Sequence, residues 1–61
     1  MDAELGDFEA TYAYVLQKQG PTYFTDYIRQ LLVRLREGDD GGAREELRQI
    51  LDPIRAKLTR L

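Results

Sequence analysis

The chain's apolar residues fall into three separate seams at coiled-coil spacing. Leu5, Phe8, Tyr12 and Val15 step by 3, 4 and 3; Phe24, Ile28, Leu31 and Leu35 by 4, 3 and 4; Leu47, Leu51, Ile54, Leu58 and Leu61 by 4, 3, 4 and 3. This spacing puts each set on one face of a helix, ready to bury against other helices. The pattern predicts an all-α fold, a small three-helix bundle made from one domain over residues 1–61.

Size turns that pattern into a question about partners. A chain of 61 residues buries only about 60% of its unfolded surface, and scaffolds this small commonly rely on disulfides, a metal or another chain. With neither cysteine nor histidine, disulfides and thiolate or imidazole metal sites are excluded. Oligomerisation is the remaining device. The net charge of −2, the absence of a run near the roughly 20 apolar residues of a membrane span, and an acidic Met1-Asp2-Ala3-Glu4 start unlike a signal peptide lead us to expect a cytoplasmic protein without membrane contact.

Turn chemistry divides the chain. Asp2 is a candidate cap for a first helix over about 2–19. Gly20-Pro21 is a stop signal, because Gly suits a C-cap and Pro cannot continue a helix. Thr22 then reads as the N-cap of a second helix over about 23–37, with Pro21 as first helical residue the alternative. Gly38-Asp39-Asp40-Gly41-Gly42 forms the second break. A third helix over about 43–60 follows, interrupted at Asp52-Pro53, where Pro removes a backbone donor and crowds the preceding turn. The seam continues beyond it, so a kink is expected, or a break with Asp52 capping a short terminal helix.

The helices carry unequal apolar surface. Helix 2 adds Tyr27 and Leu32 on the flanks of its seam and Val33 nearly opposite, more than two short neighbours cover. Helix 1 has a second stripe of small residues, Ala3, Gly6, Ala10 and Ala13, that would admit a close helix, although alanines also serve simply as helix formers. All six aromatic rings lie between Phe8 and Tyr27. Of these, Tyr14 is off the helix 1 seam and offers a large contact area with a polar tip. The expected protein interface is therefore Ala3, Gly6, Ala10, Ala13, Tyr14, Tyr27, Leu32 and Val33.

The charges follow the helix dipole, acids early and bases late, with Asp26/Arg29, Glu45/Arg48 and Asp52/Arg55 at i,i+3. Arg44, Arg48 and Arg55 share one side of helix 3. They could contact phosphates or flank a helix–helix interface, but interleaved acids argue against the basic face that nucleic acid requires. Lacking His and Cys, the chain lacks the commonest catalytic base and the best nucleophile. Capping explains Asp39/Asp40 and Glu45/Glu46, and no phosphate, dinucleotide or metalloprotease motif is present. The expectation is a non-enzymatic interaction or assembly module without cofactor or small-molecule substrate, acting as a homodimer or on a larger protein. The alternative is a small DNA-binding regulator using Arg44, Arg48 and Arg55.

Overall fold

A computed structural model describes residues 3–38 and 42–59, with Thr59 described through its backbone only. Three helices follow in order: α1 (Ala3–Gln19), α2 (Tyr23–Arg36) and α3 (Gly42–Thr59). Every pair of helices is in contact, which closes a bundle of 31 × 24 × 18 Å. The expected positions Asp2, Asp39, Asp40, Gly41, Arg60 and Leu61 lie outside the described residues.

The turn between α1 and α2 is built by two threonines and a glycine. Gly20 takes φ +75°, where a side chain is strained, and its N–H donates to the Leu16 carbonyl at 2.8 Å. Thr22 is the N-cap of α2, and its hydroxyl accepts from the Thr25 N–H at 3.2 Å. In return the Thr22 N–H donates to the Thr25 hydroxyl oxygen at 2.8 Å. This reciprocal capping satisfies two otherwise orphaned donors at once. The Thr25 hydroxyl also has the carbonyls of Thr22 and Gly20 within reach, at 3.1 and 3.3 Å. That explains how a threonine can be buried at 1% exposure at the end of the core. At the other end of α2, Gly38 takes φ +108° and donates to the Leu35 carbonyl, ending the helix one residue before the expected Glu37, which is its C-cap.

The core consists of Phe8 from α1, Ile28, Leu31, Leu32 and Leu35 from α2, and Ala43, Leu47 and Leu51 from α3. Val15 is buried as well, while Leu5, Tyr12, Ile50 and Ile54 are partly buried against this cluster. Among the described seam residues, one is exposed. Phe24, expected in the α2 seam, is 39% exposed, and Thr25 is buried in its stead. Phe24 stands on the first turn of α2, where the threonine cap occupies the end of the core. At 100° per residue the buried arc of α2 runs about 120° from Leu31 through Ile28 to Thr25, with Leu32 inside it.

Of the two alternatives for Asp52-Pro53, a kink or a break, the break with an Asp52 cap is the one that falls: α3 is a single helix with Pro53 inside it. Leu47 and Leu51 before the proline, and Ile54 after it, lie on the same side of α3 and hold both halves to one core. Pro53 itself is exposed, so the Gln49 carbonyl, which loses its helical donor, lies on the side reached by water.

Candidate functional site

Polar links at the rims of the bundle fix which surfaces remain for other molecules. Arg44 Nη1 on α3 donates to Glu4 Oε1 on α1 at 2.6 Å. Arg48 grips the same carboxylate side-on, Nε to Oε2 at 2.6 Å and Nη2 to Oε1 at 3.1 Å. One turn further along α1, Asp7 Oδ2 stands 3.2 Å from Arg55 Nη2. The Arg44, Arg48 and Arg55 side of α3 is thus the α1–α3 seam, where acidic residues meet each arginine. Arg36 pairs with Glu9 between α2 and α1, and the Tyr27 hydroxyl donates to Glu46 between α2 and α3. Among the expected i,i+3 pairs, Asp26–Arg29 closes at 2.8 Å and Glu45–Arg48 stands at 3.9 Å.

These contacts set the electrostatics. Hydrogen bonds from Arg48 and then Arg44 pull the Glu4 pKa from an ordinary 4.5 down to about 2. Asp26 is held below the usual carboxylate range by Arg29 and then Gln30. The hydrogen bond to Glu46 raises the Tyr27 hydroxyl. For Glu4 a depressed folded-state pKa means stability that is present above the unfolded value and lost as pH falls through about 2. Glu4→Gln is therefore expected to be less stable than the parent at pH 7 and to lose less stability on acidification. The check is thermal unfolding followed by circular dichroism between neutral and strongly acidic pH. Equal pH dependence in the two proteins would remove Glu4 from this account.

The expected interface residues divide into four groups. Ala3, Gly6, Ala10 and Ala13 are all exposed along the outer side of α1, and a Cβ added at Gly6 would meet open space. Tyr14 is half-buried, with Lys18 Nζ 5.7 Å from its ring centroid. Leu32, at 4% exposure, is a core side chain and is spent within the chain. Val33 is 37% exposed on the outside of α2, and Tyr27 42% exposed on the flank facing α3.

The largest exposed apolar side chains gather on the first turns of α2, where Tyr27 was an expected interface residue and Tyr23 and Phe24 were not. Tyr23 is 98% exposed and joins Phe24 and Tyr27 on the first turns of α2. Tyr23 lies about 140° around α2 from Ile28 at the middle of the buried arc, so its ring stands on the solvent side. An open hollow of about 550 Å³ borders this region, lined by Pro21, Thr22, Tyr23 and Asp26. A second of about 300 Å³ lies between α1 and α3, lined by Asp7, Ala10, Thr11, Arg55 and Leu58. Among the described residues no helix is long and apolar enough to cross a membrane, and no three carboxylates cluster to hold a metal ion. Every buried side-chain nitrogen or oxygen among them has a hydrogen-bond partner. No protein-family model, curated protein or solved structure matches the chain.

Proposed function

We propose that this protein is a non-enzymatic interaction module of the cytoplasm, which assembles with a second copy or a larger protein through the exposed aromatic flank of α2. The observation that supports this reading is the placement of Tyr23, Phe24 and Tyr27, at 98%, 39% and 42% exposure, on adjoining turns of a 14-residue helix. Aromatic side chains with polar tips lose little rotamer entropy on docking and bury large areas, which is why they are enriched at recognition surfaces. A DNA-binding role would use Arg44, Arg48 and Arg55, and their carboxylate partners Glu4 and Asp7 weigh against it.

The test compares the parent protein with a Tyr23→Ala/Tyr27→Ala variant. Both side chains are exposed, so the fold is expected to survive. Self-association is measured by sedimentation and binding of other proteins by quantitative affinity capture from the native source. Loss of association by at least about tenfold in the folded variant is the expected result, as for centrally placed aromatic anchors. A parent that neither self-associates nor retains a partner, or a variant that associates equally well, would overturn the reading.

A further inference from the structure

The α2 flank continues onto α3 in a pattern that matches itself under rotation. The Tyr27–Glu46 hydrogen bond identifies the side of α3 that borders the aromatic flank. Along that side run Glu46, Ile50, Pro53 and Lys57, stepping by 4, 3 and 4. Glu46, Pro53 and Lys57 are exposed and Ile50 is half-buried. This stripe has an apolar centre and ends of opposite charge. No ion pair joins Lys57 to another described residue.

Beside it on α2, Tyr23, Tyr27, Gln30 and Arg34 also step by 4, 3 and 4, from an exposed ring at one end to a cation at the other. The α2 stripe has its midpoint between Ile28 and Arg29, and the α3 stripe between Leu51 and Asp52. At about 1.5 Å per residue these midpoints lie about 11 Å from the Arg36 end of α2 and about 14 Å from the Gly42 end of α3.

We propose that this α2–α3 face docks a second copy of the chain about a two-fold axis that crosses both helices at those midpoints. The inference rests on the interaction-module reading above and specifies its partner and register. Rotation about that axis lays α2 antiparallel on α2 and α3 antiparallel on α3. Glu46 of one copy then meets Lys57 of the other, twice per dimer, and Ile50 meets Pro53. The Arg34 guanidinium of each copy comes to the Tyr23 ring of the other, a cation–π arrangement. An isologous interface must be complementary to itself in this way. The outer stripe of α1, Ala3 to Ala13, takes no part.

Charge exchange tests the register. Glu46→Lys gives a face with lysine at both ends of the α3 stripe, and Lys57→Glu gives one with glutamate at both ends. Each single variant is expected to dimerise at least about tenfold more weakly than the parent by sedimentation equilibrium. Mixing the two in equal amounts is expected to restore dimerisation to near the parental level, now as a heterodimer, because every lysine then meets a glutamate. Restoration also controls for folding, since a misfolded variant would not be rescued. Single variants that dimerise like the parent, or a mixture that fails to recover, would overturn this face and register. A parent that stays monomeric across the micromolar range would overturn the second copy as occupant, while the module reading would still stand or fall on its own capture experiment.

Discussion

Leu47→Ala is expected to cost about 3 kcal/mol of folding stability. Leu47 is 0% exposed at the centre of the cluster shared by all three helices. Removing three carbons there takes away both their transfer free energy and their contacts with neighbours, and helices of 17, 14 and 18 residues cannot collapse far to refill the space. A domain of 61 residues has only about 3–9 kcal/mol in total, at 0.05–0.15 kcal/mol per residue. The loss therefore consumes a large part of the stability and lowers the melting temperature by about 12–24 °C. Val33→Ala, on the outside of α2 at 37% exposure, should stay within about 0.5 kcal/mol of the parent. Calorimetry or chemical denaturation of the two variants side by side provides the check. Similar costs at both positions would mean that the core is not where it is described.

Pro53→Ala should act in the opposite direction. Proline in a helix interior is about 3 kcal/mol less favourable than alanine, and Pro53 lies inside an 18-residue helix on its exposed side. The substitution returns a donor to the Gln49 carbonyl and relieves crowding on the preceding turn, so a gain of about 2–3 kcal/mol is expected. Urea unfolding at a concentration low enough to keep the chain monomeric measures it. A loss instead of a gain would contradict an exposed proline that only weakens α3. If the second-copy face is right, the same variant also trades a ring at the centre of the stripe for a methyl group. Stability would then rise while dimerisation weakens, and a helix breaker in so exposed a place would have a use.

Much of the architecture was legible because it depends on local chemistry. Gly20, Thr22 and Gly38 mark helix ends through backbone conformation and capping, which act within a few residues. The seams led correctly to Phe8, Ile28, Leu31, Leu35, Leu47 and Leu51 as core. The misreadings all turn on what lies across the bundle. Phe24 fits the periodicity of α2, but the threonine cap takes the end of the core and leaves the ring outside. Leu32 looked surplus because a wide apolar arc was judged without knowing how closely α1 and α3 flank it.

The arginine stripe shows the same limit. Arg44, Arg48 and Arg55 stand out along α3, whereas the acids that meet them, Glu4 and Asp7, are some forty residues away in sequence. Glu4 and Asp7 are themselves spaced i,i+3 on α1, and that match of acidic and basic stripes was the available signal. Pro53 left a kink and a break both open for a related reason. A helix breaker is expected to break when local preference decides, but here Leu51 before it and Ile54 after it are packed on one core.

The sequence placed surplus apolar surface on the flanks of α2 and the small-residue side of α1. The structure buries Leu32 and exposes Tyr23, Phe24 and Tyr27 on the first turns of α2, and the central claim is that this aromatic flank, with the adjoining side of α3, docks another chain. Amide and aromatic chemical shifts followed through a dilution series test it most directly. The account predicts concentration-dependent shifts at Tyr23, Phe24, Tyr27, Glu46, Ile50 and Lys57, with Ala3, Gly6, Ala10 and Ala13 unchanged. Shifts confined to that small-residue side of α1, or a spectrum independent of concentration together with no partner captured through Tyr23 and Tyr27, would contradict it.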